Sequence, residues 1–234
     1  MRVDYSWQEI INEAFSALDK EYKEFILKDK EYFPQNWLAP FKTLPLHSSK
    51  AILFGQDPYP RASSAIGYSF IDGAVKEIFS SSGFSKQVNR ATSLRNFLKM
   101  QMINEGLLSE NDTSQEAISK VKKESLINSI FELKDGFEKE GIVLLNRAPI
   151  FTSKKDSSFH VKKFTPFMEV LLKRLSNHSL DLILFGKMAN SIISLIPKES
   201  NFTLICTPHP YNVGFIKDES AREYFKNKKL IRKD

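Results

Sequence analysis

The chain has 234 residues, of which 41% are hydrophobic and 26% are charged, so it is long enough to bury one large core. Its single cysteine, Cys206, excludes an internal disulfide, a zinc site made of cysteines and a cysteine-held iron–sulfur cluster. The formal net charge of +6 favours a polyanionic partner such as nucleic acid, because lysine and arginine displace counterions from phosphates.

No targeting or membrane segment stands out along the sequence. The first 20 residues carry four acidic side chains, unlike a signal peptide, and no apolar run approaches the length of a membrane span. No internal repeat or flexible linker divides the chain. We therefore expect a cytoplasmic protein without membrane contact, folded as a single domain over residues 1–234 and acting without a metal or cofactor.

Helices and short strands alternate along the chain. Helical spacing over residues 7–27 predicts an N-terminal helical region, about residues 5–30, packed on the rest. Four apolar runs suit strands buried on both faces of a parallel sheet; they are Ala51–Phe54, Ile142–Leu145, Leu182–Phe185 and Thr203–Cys206. Helices are predicted between or beside them at Ser93–Glu105, Ser114–Glu140, Thr165–Asn177 and Lys187–Leu195. This order predicts an α/β fold, a three-layer α/β/α sandwich around a central, mainly parallel four-stranded sheet.

Polar residues follow closely after the predicted strands. Asp57 comes after the first strand, Asn146 after the second and His209 after the fourth. Ligands of open parallel sheets bind at the carboxyl ends of the strands, so these side chains are expected at one edge. Each of them alone could instead cap a helix or form a turn. Three such residues at one edge favour a functional site over that alternative.

Four segments resemble the motifs of one enzyme family. GQDPYPRASSAIGYSF, from Gly55 to Phe70, resembles the first motif of the uracil-DNA glycosylases in residues and spacing. IVLLN, ending at Asn146, resembles the second motif, LFGKMA at Leu184–Ala189 a structural segment, and His209-Pro210 the start of the last motif. Order and approximate spacing agree over roughly residues 33–225. The resemblance implies a DNA-repair enzyme that flips uracil out of DNA and hydrolyses its N-glycosidic bond, releasing uracil and leaving an abasic site.

Two residues would carry the bond cleavage. Cleavage places positive charge on the sugar and negative charge on the departing base, so it needs an anion and a hydrogen-bond donor on opposite sides. By resemblance, ionised Asp57 positions a water and stabilises the cationic sugar, on a loop stiffened by Pro58. His209, as a neutral imidazole, donates to the uracil oxygen that gains charge. The other candidates His47 and His178 lie among polar residues and are expected to face solvent.

The resemblance also assigns the uracil pocket. The amide of Asn146 accepts from the imide nitrogen of uracil and donates to the adjacent carbonyl, a pattern that cytosine presents in reverse. Phe70 stacks on the base, and Tyr59 fills the space where thymine carries a methyl. Core packing is the alternative for both rings, since the chain has 19 Phe. Gln56 helps to hold uracil through its backbone.

Contacts with DNA are expected around the pocket, at Ser93, His160, Pro210, Tyr211 and Val213. Ser93 matches a family serine that contacts phosphate, although it could equally cap the following helix. Four lysines flank His160 and either neutralise phosphates or form a solvated surface; they are Lys154, Lys155, Lys162 and Lys163.

Three departures from the family pattern concern how DNA is held. Pro60 stands in place of a histidine, Thr92 lies in a loop that is normally richer in proline, and Tyr211–Gly214 replaces Ser-Pro-Leu-Ser. The family's leucine wedges into the DNA groove, and Val213 is one methylene shorter, about 0.8 kcal/mol less apolar contact. Tyr211 could compensate by stacking or by reaching a phosphate. We therefore predict a relative preference for single-stranded uracil DNA.

The expected partner is uracil-containing DNA, single- or double-stranded, and the chain is expected to act as a monomer with a possible protein inhibitor or replication partner. One alternative function is a catalytically weak protein of this fold that binds DNA or accompanies replication. The presence of Asp57, Asn146 and His209 argues against it, and the altered loop argues mildly for it. A serine hydrolase fits less well, because no G-x-S-x-G elbow occurs.

Overall fold

A computed structural model describes residues 2–28 and 31–233, and the side chains of residues 188–190 lie outside that description. The strands are β1 (Ala51–Gly55), β2 (Phe79–Ser80), β3 (Gly83–Phe84), β4 (Ile142–Asn146), β5 (Asp181–Phe185) and β6 (Thr203–Thr207). The α-helices are α1 (Tyr5–Ser16), α2 (Lys20–Lys28), α3 (Pro40–Thr43), α4 (Lys86–Arg90), α5 (Thr92–Asn104), α6 (Gln115–Ser119), α7 (Ile130–Lys139), α8 (Ser157–Lys163), α9 (Thr165–Leu175), α10 (Met188–Ile193) and α11 (Glu219–Phe225). Short 3₁₀ helices lie at Leu46–Ser48, Lys154–Asp156 and Val213–Lys217.

The central sheet has four parallel strands in the order β4-β1-β5-β6, which confirms the four predicted strands. The short strands β2 and β3 pair with each other outside this sheet. In the central sheet, β1 and β4 lie side by side, with Gly55 opposite Asn146 at their carboxyl ends. The motif at the end of β1 and the polar residue at the end of β4 are therefore neighbours, although about 90 residues of chain separate them.

The prediction that all four strands are buried on both faces was wrong for β6. Its residues Thr203, Leu204 and Cys206 are exposed, whereas β1, β4 and β5 are almost entirely buried. Both β4 and β6 are edge strands, but α3 and α7 pack against β4, whereas α11 packs against β6. The apolar run Thr203–Cys206 therefore predicted the presence of the strand correctly but its burial on both faces incorrectly.

Alternate side chains of the sheet enter two separate cores. Ile52 and Val143 pack on one face with apolar residues of α1, α2 and α9. Leu53 and Leu144 pack on the other face with apolar residues of α5, α7 and α11. Because successive side chains of a strand point to opposite faces, both faces need a helical layer. The predicted three-layer α/β/α sandwich is confirmed.

The helix predicted over Ser114–Glu140 is two helices, α6 and α7, separated by residues 120–129. Ser129 begins the second helix, because its side chain accepts from the N–H of Glu132 while the Glu132 carboxylate accepts from the N–H of Ser129. This reciprocal cap sets a helix start inside a segment that contains no proline or glycine between residues 114 and 135.

The predicted N-terminal helical region also contains two helices, α1 and α2. The second begins where the Asp19 carboxylate accepts from the N–H of Tyr22. Residues 29 and 30 of the predicted region lie outside the described residues.

Within residues 2–28 and 31–233, no helix combines the length and apolar character that crossing a bilayer requires. The same residues contain no group of three His, Cys, Asp or Glu side chains close enough to hold a metal ion.

Candidate active site

One pocket opens at the carboxyl edge of the sheet. Its volume of about 380 Å³ lies in the usual range for small-ligand sites. It is lined by Leu53, Phe54, Gly55, Gln56, Asp57, Pro58, Tyr59, Pro60, Phe70, Ser93, Asn146, Phe185, Lys187 and His209. Residues at or just after the ends of β1, β4, β5 and β6, together with one from the start of α5, therefore meet in one cavity.

Asp57 lies on the loop after β1 and is half-buried at the pocket. Its Oδ2 accepts a hydrogen bond from the hydroxyl of Ser157, at the start of α8. Among the described residues, no hydrogen bond occupies the other carboxylate oxygen, Oδ1. Pro58 follows directly and restricts the backbone of the residue before it, so the carboxylate is presented from a stiff loop.

Asn146 ends β4 and is buried at the pocket, with only 5% of its surface exposed. Its side-chain amide has no hydrogen-bond partner among the described residues, so both its donor and its acceptor are available to a ligand. A Cβ atom at Gly55 would lie 2.3 Å from Asn146 Oδ1, so only glycine at that position leaves room for the amide. The first residue of the GQDPY motif thus makes space for the side chain of the second motif.

Phe70 is the one non-glycine residue with positive φ among the described residues, at 65°. The N–H of Ile71 donates to the carbonyl of Ser69 at 2.8 Å, which closes a tight three-residue turn around Phe70. Such a backbone is strained for a non-glycine residue, and strain of this kind concentrates at functional sites. The ring lies among other phenylalanines, with centroids 5.1 Å from Phe97 and 6.0 Å from Phe185.

The Tyr59 hydroxyl donates to the Phe70 carbonyl at 3.3 Å and so links the GQDPY segment to the last residue of the first motif. Burial, assisted by the negative charge of Asp72, raises the pKa of Tyr59 well above 10 and keeps the hydroxyl protonated. The neighbouring Gln56 uses its carbonyl to accept from the N–H of Ala148 at 2.9 Å. Its backbone N–H makes no hydrogen bond among the described residues and is open to a ligand.

His209 lies at the rim of the pocket on the loop after β6, partly open to solvent. Its Nδ1 accepts from the N–H of Tyr211 at 3.0 Å, which places the ring proton of the neutral form on Nε2. Partial burial lowers the pKa of His209 below 6.5 and favours that neutral form. Gly186 approaches this loop with φ 59°, and a Cβ there would lie 2.8 Å from the His209 Cβ.

The loop after His209 presents two apolar side chains to solvent. Tyr211 is 71% exposed and Val213 is 73% exposed. Pro210, by contrast, is buried, and its carbonyl accepts from the Asn96 side chain at 2.8 Å. Pro210 therefore fixes the loop against α5, which is at odds with the predicted direct DNA contact. Sequence reasoning missed Asn96, because its partner lies 114 residues away.

His160 does not reach the surface, and the expectation that it approaches the DNA backbone was wrong. It is 2% exposed, with Nδ1 2.6 Å from the Tyr22 hydroxyl and Nε2 2.9 Å from the Thr152 hydroxyl. A buried imidazole with both nitrogens bonded has no group left for a phosphate. His47 and His178 are exposed, as expected.

The four lysines around His160 differ in their surroundings. Lys163 forms an ion pair with Asp19 at 3.4 Å and lies over the Tyr22 ring, so it is engaged within the protein. Lys154, Lys155 and Lys162 are exposed.

Ser93 is the second residue of α5 and lines the pocket. The residue in the capping position is Ala91, so the alternative that Ser93 caps this helix was wrong. Lys187, which sequence reasoning passed over, also lines the pocket and is exposed. Its signal in the sequence is its place directly after Gly186, at the end of the third strand.

Known proteins resemble this chain over nearly its whole length. The crystal structure of UNG from Nitratifractor salsuginis matches with a TM-score of 0.95 and 43% identity, covering 99% of this chain and 94% of that one. The uracil-DNA glycosylase of Borreliella burgdorferi is 28% identical over 250 residues, 99% of this chain and 98% of that protein. Mimivirus UNG Y322L in complex with UGI has a TM-score of 0.55 at 15% identity, covers 90% of this chain and 70% of that one, and supports the fold alone. No model of a known protein family matches the sequence.

The fold and the pocket define a class, an α/β enzyme with a carboxylate, an amide and an imidazole at one edge of a parallel sheet. The identity of 43% over nearly all of both chains narrows the class to one family. The chain belongs to the uracil-DNA glycosylases, hydrolases that excise uracil from DNA in base-excision repair.

Proposed function

We propose that this chain excises uracil through Asp57, Asn146 and His209, which act on the sugar, the base edge and the departing charge respectively. The observation that carries the proposal is that one pocket is lined by all three residues, each contributed by a different strand end. No metal or cofactor takes part in the reaction as proposed.

Different residues stabilise the positive charge on the sugar and the negative charge on the base in the transition state. As the bond between C1′ and the uracil nitrogen breaks, Asp57 stabilises the cationic sugar and holds the water that adds to C1′. The bonding electrons leave with uracil, whose oxygen accepts from the Nε2–H of His209. The Tyr211 N–H supports this role, because its bond to Nδ1 selects the tautomer that can donate.

Base selection depends on the floor and walls of the pocket. The unoccupied amide of Asn146 can accept from the imide N–H of uracil and donate to the adjacent carbonyl. Phe70 provides an apolar ring on which the flipped base stacks, and Tyr59 occupies the space that a thymine methyl needs. The Gln56 N–H offers an additional donor to the base.

The DNA strand is held around the pocket mouth. Ser93 and the free N–H groups at the start of α5 suit a phosphate, and Lys187 adds a positive charge to the lining of the same pocket. Tyr211 and Val213 present exposed apolar surface that can take the place of the extruded base. Both single- and double-stranded uracil DNA are proposed substrates.

The chain is proposed to act as a monomer in the cytoplasm, where the chromosome of a bacterium lies. The bacterial source of relatives such as the Borreliella burgdorferi enzyme supports this location. A protein inhibitor or replication partner remains a proposed partner. Analytical ultracentrifugation of the free protein tests the monomer.

The proposed activity is tested with oligonucleotides that carry one uracil, thymine or cytosine in the same sequence. In the presence of a chelator, the purified protein should release free uracil, identified by mass spectrometry, and leave an abasic site. Release of thymine or cytosine at the same rate would contradict the proposed pocket. DNA binding without release of any base would favour the alternative, a glycosylase-fold accessory protein.

A further inference from the structure

We propose that Ser157 is a positioning residue for Asp57. Its hydroxyl holds one carboxylate oxygen, and the second oxygen is thereby left in a fixed place for the attacking water. This inference rests on the role proposed above for Asp57.

The carboxylate of Asp57 needs such a partner. Rotation about the last bond of an aspartate side chain is soft, so a stiff backbone at Pro58 does not by itself fix the two oxygens. The Ser157 hydroxyl donates to Oδ2, and no described residue bonds to Oδ1. The hydrogen bond therefore distinguishes two oxygens that are chemically equivalent, one bound to protein and one available to water.

A local role does not explain the Ser157 hydroxyl. Serines at a helix start commonly accept from an N–H of their own helix. Here the capping position belongs to Asp156, without a side-chain cap, and the Ser157 hydroxyl instead reaches a residue 100 positions earlier in the chain.

Hydrogen bonds immediately before Ser157 hold it in place. The hydroxyls of Thr152 and Ser153 both donate to Asp156 Oδ2, at 2.9 Å and 2.6 Å. The turn that places Ser157 beside Asp57 is thus held by its own hydrogen bonds. Charge-assisted hydrogen bonds of this kind are stronger than bonds between neutral groups.

His160 ties the same segment to the N-terminal helices. Because Thr152 donates its proton to Asp156, its oxygen accepts from His160 Nε2–H, and His160 Nδ1 then accepts from the Tyr22 hydroxyl. Burial lowers the pKa of His160 and raises that of Tyr22, which keeps the imidazole neutral and the phenol protonated as this order requires. The chain of bonds runs from α2 through α8 to the turn that bears Ser157.

The test compares Ser157→Ala with Ser158→Ala, a matched change at the exposed neighbouring serine. On a single-stranded uracil oligonucleotide, Ser157→Ala should lower kcat by about tenfold to a hundredfold, the worth of a hydrogen bond to a charged group, and leave KM within about twofold. Ser158→Ala should leave both constants unchanged. Because the effect acts through Asp57, Ser157→Ala should cause no further loss in an Asp57→Ala background.

Two results would overturn the inference while leaving the role of Asp57 intact. One is a kcat for Ser157→Ala within about twofold of the unmodified enzyme while Asp57→Ala is strongly impaired. The other is an equal fractional loss from Ser157→Ala with and without Asp57. Unimpaired turnover by Asp57→Ala would instead remove the proposed function on which the inference depends.

Discussion

At the floor of the pocket, the buried amide of Asn146 is the group that we propose to distinguish uracil from cytosine. Asn146→Asp replaces the amide donor with an oxygen that can accept from the cytosine amine, and in its protonated form it can also donate to the cytosine ring nitrogen. We expect cytosine release to appear and uracil release to fall. Free bases released from matched uracil and cytosine oligonucleotides measure both. Unchanged uracil release without cytosine release would exclude Asn146 from base selection.

At the rim, His209 must be neutral to accept from the Tyr211 N–H and donate from Nε2. Its pKa is lowered below 6.5 by burial, so the neutral form prevails above that pH and is lost as the pH falls through the lowered value. We expect kcat/KM to be level just above pH 6.5 and to decline at lower pH. His209→Leu should be slower by about 100-fold or more and lose this imidazole-dependent decline. His178→Leu, a change at an exposed histidine, is the control, and a profile unaffected by His209→Leu would contradict the assignment.

The sequence alone located Asp57, Asn146 and His209, because each lies at or just after a strand end within a recognisable motif. It could not locate Ser157 or Asn96, since each acts through a partner about 100 residues away and neither lies in a motif. His160 was misplaced for the same reason. Its burial depends on Tyr22, 138 residues earlier, and polar neighbours in sequence suggested an exposed position.

Among the structural elements, we propose that the segment Tyr211–Gly214 governs how DNA is engaged. Asn212 accepts from the Gly214 N–H at 3.0 Å, which fixes the turn, and Val213 projects from it with 73% exposure. A valine is one methylene shorter than the leucine of the family pattern, about 0.8 kcal/mol less apolar contact with a duplex. This smaller apolar contact should lower activity on duplex DNA more than activity on single-stranded DNA.

We therefore expect the native chain to favour single-stranded over duplex uracil DNA at one salt concentration. Val213→Leu should raise kcat/KM on a duplex U:G substrate by a few-fold, in line with about 0.8 kcal/mol, with little change on single strands. Val213→Ala should lower duplex activity further. Equal or greater activity of the native chain on the duplex would contradict the proposed weakness of this segment.

The sequence predicted the positions of the strands correctly, because hydrophobic periodicity determines them. It did not predict features that depend on helix capping or on the neighbouring layers. The four apolar runs became the four strands of the sheet, yet the exposure of Leu204 on β6 depends on which helices cover that edge. The division between α6 and α7 depends on the Ser129 cap, which competes with an otherwise continuous helical pattern.

For the whole molecule, the expectation of a single domain over residues 1–234 remains a prediction, and the two tryptophans allow a test. Trp7 and Trp37 are both buried in the core shared by α1, α2 and α9, so their fluorescence reports on the helical layer that these three helices form on one face of the sheet. Circular dichroism reports on the helices of both layers. For one cooperative domain, the two signals should give the same denaturation midpoint and slope. Separate transitions would mean that the layer formed by α1, α2 and α9 unfolds independently of the rest.

The central claim is that Asp57 drives the excision of uracil in this pocket, and single-turnover release of uracil by the native chain and by Asp57→Asn tests it most directly. Asn keeps the size of the side chain and removes its charge, so substrate binding should persist while stabilisation of the cationic sugar is lost. We predict rapid release by the native chain and a rate at least about 100-fold lower for Asp57→Asn at saturating protein. Release by Asp57→Asn at nearly the native rate would contradict the account.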